Sequence, residues 1–259
     1  MDSKERPLGM KNYGSIGHLL GSRMGEGDRS CDAGMTKIAV TKTRDKHDLV
    51  IVQEKLDGSN VGVALLNGKL YPLTRAGYLA SESSLEQHWR FSNWVYSQQE
   101  RFSAVLKEGE RLCGEWLLQA HGTRYDLPHE AFVAFDLMTS NMRLPYAEFI
   151  ERINPGGFVT PKVIHQGGAL SIPSALKLLG TYGFHGATDP VEGAVWRVER
   201  NKETGVKGER KVVVDFLVKY VKPEKVDGKY LPFISGKDPV WNSCPVRSSE
   251  YTKADVLQA

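Results

Sequence analysis

The sequence has no apolar run long enough to span a membrane, and its start, MDSKERPLGMKNYG, is charged and Gly-interrupted with no apolar segment behind it. Neither a membrane span nor a secretory leader is expected, and the cytoplasm is the default location. Cysteine is scarce. Cys31, Cys113 and Cys244 are odd in number, far apart and form no CxxC pair, which excludes a disulfide framework and a cysteine-built zinc site. An excess of one charge is also lacking: 34 Lys and Arg against 31 Asp and Glu leave a formal charge of +3. Affinity for a polyanion would have to come from local placement of basic residues. There is no internal repeat and no low-complexity tract.

What is present suffices for one sizeable core in 259 residues. Residues 1–35 are rich in glycine and charge and show no sustained period, so they read as a loop-rich lead-in. From Leu49 the runs LVIVQEK, NVGVALL and KLYPLTR are short strands separated by DG and NG, and Asn67-Gly68 signals a hairpin. In LEQHWRFSNWVYSQQERFSAVL, Phe91, Trp94, Val95, Phe102, Val105 and Leu106 fall on one helical stripe, which predicts a single packing helix. Trp89 and Trp94 read either as core or as base-stacking platforms. RLCGEWLL, AFVAFDLM and VEGAVWRV are further strands, and KVVVDFLVKY is apolar enough for an internal one. PYAEFIERI and IPSALKLLG read as short helices, the second capped by Ser171 and ended by Gly180. The order predicts an α+β domain with two groups of antiparallel strands and flanking helices.

In QEKLDGSN, Lys55 stands where an apolar strand ends and a DG turn begins. A lysine is a nucleophile only as the neutral amine, which requires desolvation or nearby positive charge. Alone, the stretch fits a surface charge on a hairpin as well as a nucleophile.

Read in order with GEW (Glu115), AFDL (Phe135, Asp136), EGAV (Glu192) and DFLVKY (Lys219), it resembles the covalent nucleotidyltransferases, the polynucleotide ligases and RNA capping enzymes. Within them it is most similar to ATP-dependent RNA ligases of the phage T4 RNA ligase 2 type and their bacterial relatives. The resemblance runs from about Tyr13 to about Tyr230. The lead-in shares it, since YGSIGHLLGSRMGEGD looks like the HLxGSR segment of bacterial RNA ligases. DNA ligases and capping enzymes usually carry arginine in KxDGxR where this chain has Asn60, and Glu54 directly precedes the lysine; both favour RNA ligase.

The resemblance implies a two-sheet nucleotidyltransferase domain of ATP-grasp-like architecture over residues 36–230. The lead-in 1–35 would pack near its site, and 231–259 would be a tail rather than an OB domain. It implies ATP with Mg2+ or Mn2+, attack of Lys55 on the α-phosphate, transfer of AMP to a 5′-phosphate end, and displacement of that AMP by a 3′-hydroxyl. Lys219 and Arg197 match cations on the phosphates, and Glu192 matches the glutamate that helps hold the hydrated metal. Glu115 matches the ribose contact, Phe135 and Val195 the two walls of the adenine slot, and Glu54 the base-edge contacts, partly through its backbone. Asn60 and Arg75 match polar residues near sugar and phosphates. Lys222 is a second cation just beyond Lys219, and Leu217 stands where relatives often carry the first lysine of Lys-x-Lys. Glu192 and Val195 have opposite strand parity, so both face a nucleotide only if the chain bends, which Gly193 permits. His18, Ser22 and Arg23 are expected near phosphate or strand ends.

From Arg197 to Lys229 there are ten Lys and Arg against six Asp and Glu. That excess either follows a phosphate backbone or lies on a solvated face. The function implied is an ATP-dependent RNA ligase, acting in RNA repair as a monomer on nicked or splinted duplex RNA. The alternatives are joining of DNA or mixed RNA-DNA ends, and a nucleotide- or strand-binding module that needs a partner for sealing.

Overall fold

In the computed structural model, which describes residues 6–245, alternation along each strand sorts side chains into three layers. In chain order the elements are β1 (Gly17–His18), α1 (Ala33–Val40), β2 (Asp48–Lys55), β3 (Ser59–Leu66), β4 (Lys69–Thr74), α2 (Glu86–Ser97), α3 (Gln99–Val105) and β5 (Glu110–Trp116). They continue with β6 (Phe132–Thr139), β7 (Met142–Arg143), α4 (Tyr146–Ile153), β8 (Val163–Gly167), α5 (Ile172–Leu179), β9 (Gly193–Glu203), β10 (Arg210–Val221) and α6 (Pro232–Ser235). Two five-stranded sheets result, in the orders β1-β10-β9-β2-β8 and β4-β3-β5-β6-β7. Every pairing is antiparallel except β1 with β10. The expected α+β class with two strand groups and flanking helices is the observed one.

The second sheet turns Val61, Val63, Trp116 and Phe132 onto Phe91, Trp94 and Phe102 of α2 and α3, all buried. Phe91 meets Trp116 there edge-on at 5.3 Å between centroids. The first sheet packs Val50, Val52, Trp196, Val198 and Val218 under α1 and α5. The remaining two faces look at each other and carry the polar residues. Trp94 is therefore core and no stacking platform, while Trp89 is half-buried with Arg90 5.5 Å over its ring.

Four differences from expectation have local causes. The single helix over 85–106 is two, because Gln98 leaves helical geometry at φ −113° and ψ 18°. The lead-in is not all loop: Asp32 caps α1 by accepting the Met35 N–H, and Gly17–His18 pairs with Val218–Lys219. β10 is internal only at its far end, since β1 covers just those two residues, and its first residues are exposed. β8 and β7 were not foreseen, being short and without clear alternation. No helix among the described residues is long and apolar enough to cross a membrane. Of the tail expected over 231–259, residues 246–259 lie outside the described residues; α6 and a bridge between Trp241 and Gln119 occupy its start.

Candidate active site

Between the facing sheets lies a cavity of about 700 Å³, a size suited to a nucleotide. β2 runs out at its rim and delivers Lys55, whose side chain is 19% exposed. Lys55 Nζ sits 2.8 Å from Glu192 Oε2 and donates to the Leu56 carbonyl at 3.3 Å. Burial pushes the ammonium pKa down, but Glu192, Glu115 and Asp57 outweigh it and hold Lys55 protonated, above the ordinary lysine value. Burial raises Glu192 and Glu115 to about 7 against the opposing pull of Lys55.

Asn60 and Glu115 are directly paired across β3 and β5 and line the same cavity, and Glu115 accepts the Gly58 N–H at 3.1 Å. Asn60 Oδ1 is buried with no partner among the described residues. Phe135 enters by a bulge: Cys113 pairs with Asp136 and Gly114 with Ala134, so Phe135 is the extra residue. On the other sheet Val195, Arg197, Leu217 and Lys219 alternate inward, with Val195 opposite Lys219 and Arg197 opposite Leu217. Glu192 reaches the same cavity although its parity differs, because it precedes β9, which begins at Gly193. Arg75 lines the mouth and donates to Ser15 Oγ at 3.1 Å.

Three expected residues stand differently from the reading of their letters. Arg197 is 1% exposed and its guanidinium is committed to Asp136 Oδ1 at 2.6 Å, Glu199 Oε1 at 2.7 Å and the Leu144 carbonyl. It forms the floor of the cavity and ties the two sheets together, leaving Lys219 as the less encumbered cation. Glu54 has the parity of Val52, so its carboxylate lies on the outer face, where it accepts the Phe184 N–H at 2.8 Å, although the residue also borders the cavity. Lys222 is outside the cavity altogether and lines a separate, smaller one of about 160 Å³. The basic excess along Arg197–Lys229 is largely consumed within the molecule: Arg200 pairs with Asp45 and Asp48, Lys202 with Asp215, Arg210 with Glu203, Lys225 with Asp57 and Lys229 with Asp189.

Other residues join the site with little warning from the sequence. Tyr13 lines the cavity, donates to Asp136 at 2.6 Å and meets the Phe135 ring edge-on at 5.1 Å. Asp28 bridges His18 Nε2 at 3.0 Å and Lys219 Nζ at 3.6 Å, while His18 Nδ1 lies 2.7 Å from Ser22 Oγ, which accepts the Val221 N–H. The lead-in thus braces Lys219 from behind, and Arg23 pairs with Asp227. Burial and Lys219 push the His18 pKa down; burial and Lys55 do the same to Lys219. HLxGSR pointed to His18 and Ser22, whereas Tyr13 and Asp28, at the two ends of the stretch YGSIGHLLGSRMGEGD, carried no expected role.

Among the described residues no three of His, Cys, Asp and Glu cluster to form a metal cage. A magnesium-type ion held by one carboxylate together with substrate phosphates needs no cage, and Glu192 is the buried carboxylate beside Lys55 that fits it.

The family model described as RNA ligase matches residues 48–221, more than half of the chain and all of the strands that build the cavity except β1. No curated protein matches. Among solved structures, form 2 of an archaeal ATP-dependent RNA ligase is 18% identical with a TM-score of 0.45, covering 81% of this chain and 48% of that one. A putative ATP-dependent DNA ligase from Aquifex aeolicus is 16% identical with a TM-score of 0.44, covering 81% and 49%. The E312A mutant of Naegleria gruberi RNA ligase with AMP and Mn is 14% identical with a TM-score of 0.46, covering 79% and 59%. The chain spans about half the length of the first two, and at these TM-scores the likenesses bear on neither activity nor substrate.

Proposed function

The chain belongs to the RNA ligase family, and from that premise we propose that it is an ATP-dependent RNA ligase in which Lys55 is the nucleophile. The carrying observation is the placement of Lys55 at the rim of a nucleotide-sized cavity, in direct contact with Glu192 and with Glu115 and Asn60 opposite. Phe135 and Val195 offer the base an aromatic and an aliphatic wall, and Asn60 Oδ1 is a buried acceptor awaiting a donor such as a ribose hydroxyl. Glu115 accepts a second sugar hydroxyl.

In the first step the neutral Lys55 amine attacks the α-phosphorus of ATP, a P–N bond forms, the bond to the β-phosphate oxygen breaks, and pyrophosphate leaves. Next an oxygen of a 5′-phosphate end takes the AMP from Lys55, giving a 5′-5′ pyrophosphate linkage. A 3′-hydroxyl then attacks that 5′-phosphate, loses its proton and expels AMP. Lys219 faces the same phosphates as a point charge, braced by Asp28. A divalent cation, where bound, supplies further neutralisation of phosphate charge, with Glu192 as its protein ligand. Attack requires the Lys55 proton to leave, and exchange of the Lys55–Glu192 pair for contacts to nucleotide removes the charge that retains it. Asn60 in place of arginine supports RNA ends, and nicked or splinted duplex RNA of the T4 RNA ligase 2 type is the substrate we assign.

Incubation with α-labelled ATP and magnesium should give a covalent, acid-labile AMP adduct in wild type and none in Lys55→Ala. Absence from wild type, or equal label in the variant, sinks the mechanism. Efficient sealing of nicked DNA alone, against nicked RNA and single strands, would overturn the substrate.

A further inference from the structure

On the outer side of the same strand end, residues 181–186 form a loop with two faces. Gly183 and His185 turn inward, while Tyr182 and Phe184 turn out and are 56% and 48% exposed. Single exposed aromatics are ordinary on protein surfaces. Here the loop that carries them is tied down at Thr181, Phe184, His185 and Gly186. The Thr181 carbonyl accepts the Val191 N–H, the Phe184 N–H is held by the buried Glu54 carboxylate, and the Gly186 carbonyl accepts the Asp126 N–H at 2.7 Å. His185, 4% exposed, stands 2.8 Å from His129 and accepts the Lys162 N–H at 3.1 Å. Gly183 at φ +58° and Gly186 at φ +75° have no room for a Cβ, which would strike Glu54 Oε1 and the Asp126 carbonyl. A loop this constrained presents Tyr182 and Phe184 in fixed positions, which lowers the entropic cost of stacking on them.

A cation flanks the pair: Lys162 Nζ lies 5.7 Å over the Phe184 ring. Lys162 forms no ion pair among the described residues, in contrast to the neutralised hairpin end of β9 and β10. The loop also adjoins the reacting centre: Glu54 directly precedes Lys55, and the Lys222 N–H donates to the Glu192 carbonyl.

We propose that Tyr182 and Phe184, flanked by Lys162, form a stacking platform for unpaired bases of the RNA strand whose end is joined at Lys55. The proposal rests on the ligase reading for its choice of strand. Aromatic faces take bases of any sequence, and Lys162 meets the phosphate between them. The arrangement would serve a strand end that a nick or splint leaves frayed, and it adds strand-binding surface outside the nucleotide cavity.

The test measures the Kd of a fluorescently labelled single-stranded RNA oligonucleotide beside the rate of AMP-adduct formation. Tyr182→Ala and Phe184→Ala should each weaken RNA binding about tenfold, the range for loss of one stacked base, while the adduct forms at the wild-type rate. Phe184→Trp should retain binding, and Lys162→Ala should reduce the dependence of Kd on salt. A DNA oligonucleotide should suffer the same aromatic losses, because stacking does not read the sugar. A double variant binding RNA as wild type overturns the platform, as does light scattering that shows the variants breaking a protein dimer with RNA binding unchanged. Absence of the adduct from wild type, with the binding losses intact, counts against the ligase reading and leaves the platform standing.

Discussion

Lys55 Nζ and Glu192 Oε2 are 2.8 Å apart, and this one contact joins the end of β2 to the residue before β9 inside the cavity. Glu192 is the strongest of the carboxylates that raise the Lys55 pKa. Glu192→Gln should therefore let the amine give up its proton at lower pH. Labelling of Lys55 by an amine-reactive probe, followed by mass spectrometry in the nucleotide- and metal-free protein, should show its midpoint moved down. An unchanged midpoint would mean the pair does not control the proton.

Lys219 lines the cavity and Lys222 does not. Lys219→Ala should slow adduct formation about a hundredfold, the order found when one donor to a developing charge is removed. Lys222→Ala should change it only a few-fold. The reverse ranking would show that the phosphates lie on the outer side of β10.

Arg197 neutralises the buried Asp136 and Glu199 at the cavity floor. Arg197→Met leaves Glu199 buried without its cation and Asp136 with Arg143 alone, and should cost about 3–5 kcal/mol of stability in urea unfolding. A variant as stable as wild type would mean Arg143, 3.0 Å from Asp136, suffices alone.

Lys225, 7% exposed, pairs with Asp57 at 3.2 Å and donates to the Gly122 and Pro190 carbonyls and to Thr123 Oγ1. Asp57 also accepts from Gly122 and Thr123, so the turn after the nucleophile is pinned by the segment that follows β10. Lys225→Met should destabilise by about 3 kcal/mol. Adding Asp57→Asn should recover part of that loss, and a double-mutant cycle that closes additively would dismiss the coupling.

Glu54 has its pKa raised from 4.5 to about 7, chiefly by burial. With the folded value above the unfolded one, the native state binds the extra proton. Stability from this group is full below about 4.5 and is lost as pH rises through about 7. Glu54→Gln keeps an acceptor for Phe184 but removes the titration, so the difference from wild type should grow across that window by up to about 3 kcal/mol. Thermal melts at several pH values decide it, and parallel curves would refute it.

Much of the fold was legible because it is written in local periods. Short apolar runs bounded by turn signals marked β2, β3, β5, β6 and β9, and the aromatic stripe from Phe91 to Leu106 marked the helices under the second sheet even though Gln98 divides them. The short elements escaped for the opposite reason. β1 and β7 have two residues each, too few for any period, and exist because a neighbouring strand offers them partners.

The sequence by itself determined, through two-residue alternation, that Asp215, Leu217 and Lys219 share one face of their strand, while the meeting of Lys55, Asn60, Glu115, Val195 and Lys219 in one site was implied by the family resemblance. Parity is a covalent property, and it also predicted the conflict between Glu192 and Val195. Only the tertiary structure decided which charges are spent. Arg197 lost its freedom to Asp136 from the other sheet, Lys225 to Asp57, and the β9–β10 hairpin to Asp45, Asp48 and Asp215. Most of the partners are far apart in sequence, and Coulomb attraction at about 3 Å depends on distances that no spacing of letters encodes.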